Sequence, residues 1–149
     1  MKRRKFIQQS AIFGTSASII PQGLAHRSNT SEAPYPFKLK YAPHLGMFKN
    51  SAGADPIDQL NFMADVGFTA YEDNGMKGRD VALQEKMAST MAKRGLAMGV
   101  FVAHEISWKE PNLANGDEAL REKFLKEISE SVEVAKRVNA KWMTVVPGH

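Results

Sequence analysis

A tight junction between a helix pattern and a strand pattern occurs three times in this chain. The junctions are Gly67-Phe68, Gly95-Leu96 and Asn139-Ala140-Lys141. Glycine and asparagine are the residues that most often end a helix in the left-handed conformation, and here an apolar strand pattern follows with almost no linker. Repeated junctions of this kind predict βαβ units, in which parallel strands are joined by right-handed helical crossovers.

The segments between the junctions predict four strands and three helices. Strands are expected at residues 38–44, 68–72, 96–103 and 141–146. The helices are expected to begin at Pro56 after an N-cap at Asp55, after a cap at Asp80, and at a capping pair of Asn115 and Glu118. The third strand pattern is apolar at nearly every position, as in a strand covered on both faces.

Two parallel architectures fit this order of elements: a doubly wound open sheet and a (β/α)8 barrel. No G-x-G-x-x-G turn follows any predicted strand, which disfavours a dinucleotide-binding Rossmann domain. A complete barrel needs roughly 250 residues. We therefore expect residues 38–149 to form an α/β fold that is the N-terminal half of a TIM barrel, as a truncated product or as a half that pairs with another chain.

The N-terminus has the three parts of an export signal in residues 1–25. Lys2-Arg3-Arg4-Lys5 is basic, residues 6–20 are moderately apolar, and Gly23-Leu24-Ala25 offers small residues before a cleavage site. Paired arginines followed by Phe6-Ile7 are typical of a twin-arginine (Tat) signal, so we expect the Tat translocase as a partner and a periplasmic protein without a stable membrane anchor. A general secretory signal or an uncleaved anchor is the alternative. Residues 26–37 are polar and predict a linker.

Composition excludes several classes of protein. The chain has no cysteine, which excludes disulfide scaffolds, cysteine-ligated zinc modules and iron–sulfur proteins. The net charge of +4 lies in residues 1–25, because the remainder has 16 basic and 16 acidic residues. A nucleic-acid partner is therefore not expected.

Polar residues follow all four predicted strands, where parallel α/β folds bind their ligands. His44, Glu72 and His104 end the first three strands, His149 follows the fourth, and Trp108 lies in the loop after the third. We predict His44, Glu72, His104 and Trp108 as substrate-binding residues. The alternatives are that each histidine is a hydrogen-bonded structural residue, that Glu72 caps a neighbouring loop or pairs with Arg79, and that Trp108 only packs over the barrel mouth.

The predicted helices divide their side chains between core and solvent. Met63, Met87 and Met91 lie at helical spacing and are expected in the core. The third helix is expected to bury an apolar stripe formed by Leu120, Phe124, Ile128, Val132 and Ala135. Its charged residues are expected on a solvated face with i,i+4 pairs: Glu118, Arg121, Glu122, Lys126, Glu127 and Glu130.

Carboxylates and imidazoles around a barrel mouth suit divalent-metal and acid–base chemistry. A metal beside a hydroxy-carbonyl would stabilise an enediolate while a carboxylate moves the proton, as in aldose–ketose isomerisation or epimerisation.

Four segments resemble the first half of the xylose-isomerase-like sugar isomerase/epimerase barrels, particularly the hydroxypyruvate isomerase group. They are residues 40–48, 65–72, 102–104 and 142–148, and the second is similar to the G-F-x-x-x-E junction common in that superfamily. The resemblance implies a small hydroxy-carbonyl or sugar substrate and a divalent metal (Mg, Mn or Zn). Its metal ligands and acid–base carboxylates lie on later strands, so none is expected in this chain, and His44, Glu72 and His104 would serve the substrate pocket. We expect no isomerase activity from the 149-residue chain alone.

Two other functions are compatible with the residues. Endonuclease IV-like enzymes of the same superfamily bind zinc through histidines that His44 and His104 would match, but Val146 stands where a histidine usually precedes Pro-Gly. Neutral charge after residue 25 and export also disfavour DNA repair. A non-catalytic periplasmic module that binds a sugar or a partner is the alternative from a different class.

Overall fold

The structure is a computed structural model that describes residues 37–111 and 113–146. The predicted signal peptide, residues 26–36 of the predicted linker, and His149 lie outside these residues. Phe37, the last residue of the predicted linker, stacks on Phe68 with 4.7 Å between ring centroids. No helix within the described ranges combines the length and the apolar character needed to cross a bilayer.

Helices and short parallel strands alternate through the described residues, which makes the fold mixed α/β. The helices are α1 (Lys49–Ala52), α2 (Pro56–Asp65), α3 (Val81–Arg94) and α4 (Glu118–Val138), with 3-10 turns at Met76–Gly78 and Leu113–Asn115. Strands β1 (Ala70–Tyr71) and β2 (Ala97–Met98) pair in parallel, with Ala70 opposite Ala97 and Tyr71 opposite Met98. The second and third predicted strands are thus present, although shorter than expected.

The first and fourth predicted strands each join the sheet at a single position. His44 forms a parallel bridge with Glu72, and Val102 forms one with Thr144. Around the second bridge, Thr144 donates its N–H to the carbonyl of Phe101 (2.8 Å) and accepts the N–H of Ala103 (3.0 Å). These outer segments have a described neighbour on one side only, so fewer hydrogen bonds hold them in extended pairing than the sequence pattern predicts. The four segments are neighbours in the order in which they occur along the chain.

The three predicted junctions all form, and one hydrogen-bond pattern closes them. Gly67, Gly95 and Asn139 have φ angles of 101°, 69° and 53°. In each case the residue after the junction donates its N–H to a carbonyl at the end of the helix, as in a Schellman motif. The pairs are Phe68 to Met63 (3.0 Å), Leu96 to Met91 (2.9 Å) and Ala140 to Ala135 (2.9 Å).

Aspartates begin all three of the long helices. The carboxylates of Asp55 and Asp80 accept backbone N–H groups of α2 and α3, each at 2.7 Å, as predicted. For α4 the predicted cap, Asn115, is wrong: Asp117 is the N-cap and accepts from two backbone N–H groups of the first turn. Asn115 belongs to the preceding 3-10 turn, where its side chain accepts the N–H of Asp117 at 2.8 Å.

Methionines form much of the core between the helices and the sheet, as the helical spacing predicts. Five of them are buried: Met63, Met76, Met87, Met91 and Met98. On α4 the predicted stripe is wrong at Val132, which is 40% exposed, while Ser131, Val134 and Val138 are buried. A pattern with strict i+4 spacing drifts about 40° around a helix at each step, because 3.6 residues make a turn. The buried face of α4 therefore passes through Ser131, whose hydroxyl donates to the carbonyl of Ala103 (2.5 Å).

Candidate functional site

Two adjoining cavities lie beyond the carboxyl end of the third predicted strand. The loop cavity, of about 480 Å³, lies between residues 104–111 and the first turns of α4. The turn cavity, of about 670 Å³, lies between that loop and residues 74–78. Both volumes are in the range of small-molecule sites. Five residues line both cavities: His104, Glu105, Ile106, Trp108 and Glu127.

His104 is a buried wall of both cavities, and the backbone occupies its two ring nitrogens. Nδ1 lies 2.8 Å from the carbonyl oxygen of Glu105, and Nε2 accepts the N–H of Val146 at 3.0 Å. These partners assign the neutral tautomer with the proton on Nδ1. The ring edge also packs on Phe124 of α4, with 4.9 Å between centroids. The side chain thus joins the ends of the third and fourth predicted strands.

His44 repeats this arrangement between the first and second predicted strands. Nδ1 lies 2.7 Å from the carbonyl oxygen of Leu45, and Nε2 accepts the N–H of Asn74 over a longer distance of 3.4 Å. We call His44 and His104 the histidine clamps, because each connects two neighbouring strand ends through backbone groups. With both nitrogens occupied, neither ring offers a lone pair to a metal or to a substrate in this arrangement.

Glu72 lies beside His44 in the sheet and is half-buried. It does not line either cavity, and its carboxylate forms no hydrogen bond or ion pair with the described residues. Its alternative partner, Arg79, binds the buried Asp73 instead, with 2.5 Å between Nε and Oδ2. The hydrogen bond that Arg79 donates to Asp73 raises the pKa of Arg79.

Tyr71 is fully buried next to this ion pair, on the core side of β1. Among the described residues its hydroxyl has no hydrogen-bond partner. Burial, and then the charge of Asp73, raise the pKa of Tyr71, while the charge of Arg79 lowers it. The neutral phenol is therefore strongly favoured in the folded protein.

Trp108 lines both cavities and is 72% exposed. It lies in the loop that follows the third strand, as predicted. The structure thus places Trp108 with His104 at one pair of cavities, whereas His44 and Glu72 lie at the neighbouring strand ends. Asn74 connects the two groups, because it lines the turn cavity and donates its backbone N–H to His44.

Lys77 and Glu127 line the cavities, although the sequence pattern did not predict them as site residues. The ammonium of Lys77 donates to the backbone carbonyls of Ala103 (3.1 Å) and Glu127 (2.9 Å). The carboxylate of Glu127 accepts the N–H of Glu105 at 2.9 Å, and its side chain is only 18% exposed. The prediction that Glu127 lies on a solvated face is wrong. Glu127 follows Phe124 by three residues and precedes Ser131 by four, and this helical spacing indicates that it shares the face of α4 that packs against the sheet.

An exposed ion pair lies at the edge of the loop cavity. Lys123 on α4 donates to the carboxylate of Glu105 at 2.8 Å. This hydrogen bond lowers the pKa of Glu105 and raises that of Lys123. The cavities therefore combine an accessible indole with charged groups, of which Glu105, Glu127 and Lys123 form ion pairs.

The described side chains do not fit a metal centre. Within residues 37–111 and 113–146 no three histidine, aspartate or glutamate side chains are placed to hold an ion, and the clamp histidines have no free nitrogen. The groups around Trp108 can instead accept hydrogen bonds from a small ligand and donate hydrogen bonds to it.

No protein-family model, characterised protein or solved structure shows significant similarity to the chain.

Proposed function

We propose that this chain forms the substrate-binding part of a xylose-isomerase-like (β/α)8 barrel of the hydroxypyruvate isomerase-like group. Its ligand would be a small hydroxy-carbonyl or sugar, and the reaction of the complete barrel would be aldose–ketose isomerisation or epimerisation. The observation that carries this proposal is the pair of cavities at the carboxyl ends of parallel strands, lined by an accessible indole, a carboxylate and an ammonium.

The order of the strands supports the barrel. Each of the four described segments neighbours the next one along the chain, and all pairings are parallel. Doubly wound sheets reverse their order at a switch point, whereas barrel strands follow in sequence. Large apolar side chains on the outer segments are exposed, which supports further strands alongside them: Leu39, Tyr41, Trp142 and Val145.

The described residues would bind and orient the substrate. Trp108 offers an apolar face to the carbon skeleton, and Glu127 and Lys77 offer an acceptor and a donor to hydroxyl or carbonyl oxygens. A divalent metal held on other strands of the family barrel would supply charge stabilisation for an enediolate. The histidine clamps would hold the strand ends that form the pocket. We therefore expect the purified chain to bind substrate but to show no metal-dependent turnover. In the cell, we propose that the Tat translocase exports the chain to the periplasm.

Tryptophan fluorescence of the full chain can test the binding proposal. The chain has two tryptophans, and Trp142 does not line either cavity. Titration with D-fructose is expected to change the emission of Trp142→Phe, which retains Trp108. The matched variant Trp108→Phe, which retains Trp142, is expected to show no change. A response in Trp108→Phe alone, or in neither variant, would contradict the proposed pocket.

A non-catalytic module that binds a sugar or a partner in the periplasm is the second candidate function. It is favoured by the histidine clamps, whose nitrogens are all engaged by backbone groups. The same observation weakens the endonuclease IV-like alternative, because zinc ligation needs a free imidazole lone pair. Binding of D-fructose that is unchanged by added Mg²⁺, Mn²⁺ or Zn²⁺ fits either remaining candidate. A metal-dependent isomerase assay on a barrel completed with the later strands separates the two.

A further inference from the structure

We propose that Met47 is a reversible oxidation site, at which a peroxide converts the thioether to a sulfoxide, and that this change reaches the His44 clamp. The inference is independent of the proposed ligand. It follows from how differently the methionines of the chain are exposed, and from the backbone group that the Met47 sulfur contacts.

Met47 differs in exposure from the other methionines of the described residues. Met47 is 68% exposed. Met143 is half-buried and packs against the core. The remaining five are at most 7% exposed: Met63, Met76, Met87, Met91 and Met98. Oxidation requires the oxidant to reach the sulfur, so within residues 37–111 and 113–146 Met47 is the methionine that a dissolved peroxide attacks first.

The backbone around Met47 is held in place, while the residue itself is exposed. Gly46 donates its N–H to Oε1 of the buried Gln59 at 2.8 Å, and Phe48 packs against the core. Met47 donates its own N–H to the carbonyl of His44 at 3.2 Å, which closes a turn. A chemical change in the Met47 side chain is therefore expected to alter this turn locally and to leave the fold intact.

The sulfur of Met47 contacts the backbone of the His44 clamp. Sδ accepts the N–H of His44, with 3.3 Å between sulfur and nitrogen, and a thioether is a weak acceptor. An N–H···O bond needs about 2.9 Å between nitrogen and oxygen, so a sulfoxide oxygen cannot be inserted into the present distance between nitrogen and sulfur. The side chain must move until the oxygen accepts the N–H, or it must leave the N–H to water. Either movement changes the surroundings of the His44 amide.

The reaction needs a peroxide as its only oxidant. A lone pair of Sδ attacks one oxygen of hydrogen peroxide, and the O–O bond breaks. The proton of the transferred oxygen moves to the departing hydroxide, which leaves as water. The sulfur thus loses two electrons and the peroxide gains them. Methionine sulfoxide reductases reverse this oxidation, so the modification is reversible.

Peptide mapping of the full chain after treatment with hydrogen peroxide tests the assignment of the site. Cleavage after lysine and arginine gives a peptide of residues 41–49, whose only methionine is Met47, and one of residues 142–149, whose only methionine is Met143. The first peptide is expected to gain one oxygen atom about tenfold faster than any peptide with a buried or half-buried methionine. Unfolding in urea is expected to abolish this difference. Oxidation of Met143 or of a core methionine as fast as Met47 in the folded chain would overturn the assignment.

The ¹H–¹⁵N spectrum of the oxidised chain tests the effect on the clamp. The backbone amide of His44 is expected to shift, and to return to its original position after treatment with methionine sulfoxide reductase. Met47→Leu retains an apolar side chain without the sulfur, so peroxide is expected to leave its His44 amide unchanged. Met143→Leu is the matched control and is expected to respond as the wild type does. A Met47 sulfoxide with an unmoved His44 amide would refute the effect on the clamp, as would a peroxide-induced shift of that amide in Met47→Leu.

Discussion

The histidines at the strand ends show what a single residue's position can and cannot reveal. Both clamps lie at the carboxyl ends of strands, where the sequence predicts them. Their hydrogen-bond partners could not be predicted, because Asn74 follows the second predicted strand and Val146 ends the fourth, and the positions of both relative to the histidines depend on the whole sheet. Glu127 illustrates the opposite error, since its charge suggested solvent although its largely buried carboxylate accepts the backbone N–H of Glu105.

Replacement of His104 by alanine is expected to destabilise the fold by about 2–4 kcal/mol. The change removes two hydrogen bonds to backbone groups and leaves a gap beside Phe124. His44→Ala is the matched variant, and its cost is expected to be about 1 kcal/mol, because His44 is more exposed and its bond to Asn74 is long. Urea unfolding followed by circular dichroism measures both. An unchanged midpoint for His104→Ala, together with lost ligand binding, would instead identify His104 as a ligand-contacting residue.

Tyr71 predicts a loss of stability in alkaline solution. Since burial raises its pKa in the folded state, the unfolded chain releases the phenolic proton near pH 10 while the folded chain retains it. The unfolded state then binds fewer protons, so the contribution of this group to the free energy of unfolding does not change with pH below about pH 10 and falls as the pH rises above it.

Tyr71→Phe is expected to reduce that alkaline decline and to raise stability by about 1 kcal/mol at pH 7, because the buried hydroxyl has no partner among the described residues. Urea unfolding at pH 7 and pH 10.5 makes the comparison. A destabilised Tyr71→Phe with the wild-type pH dependence would show that the hydroxyl is hydrogen-bonded in the folded protein.

At the scale of elements, local chemistry predicts the helix boundaries well. Gly67, Gly95 and Asn139 end their helices as expected, because left-handed residues satisfy the last carbonyls through the following N–H groups. The extent of strand pairing could not be predicted, since it depends on neighbours that lie far away in the sequence. The start of α4 was misplaced by two residues because Asn115 and Asp117 are both good caps, and only the intervening 3-10 turn distinguishes them.

Gly95→Ala is expected to cost about 1 kcal/mol of stability. The backbone at Gly95 has a φ of 69°, which residues other than glycine and asparagine adopt only at a cost in free energy. A Cβ added there would meet no atom within 4 Å. The penalty is thus one of backbone conformation and not of packing. Gly78→Ala is the matched control, because that site is equally open and its φ is not positive. Thermal unfolding should lower the midpoint only for Gly95→Ala, and equal shifts would refute this explanation.

At the scale of the whole molecule, the sequence predicts a parallel α/β fold, and the structure confirms this class. Two isolated bridges and one short ladder establish the order of the strands. The periodicity of apolar residues in the sequence could not predict this order. The cavities arise because the loop at residues 104–111, the turn at residues 74–78 and α4 meet beyond the same strand ends. Lys77 connects the turn to the end of the third strand and to α4, through the carbonyls of Ala103 and Glu127.

The binding of a small hydroxylated ligand in these cavities can be tested with the two-dimensional ¹H–¹⁵N spectrum of the full chain, titrated with D-fructose. We expect shifts of the Trp108 indole N–H and of backbone amides in residues 74–78 and 104–108, with an unchanged Trp142 indole. Shifts confined to Trp142 and the outer strands, or no shifts at all, would refute binding in these cavities.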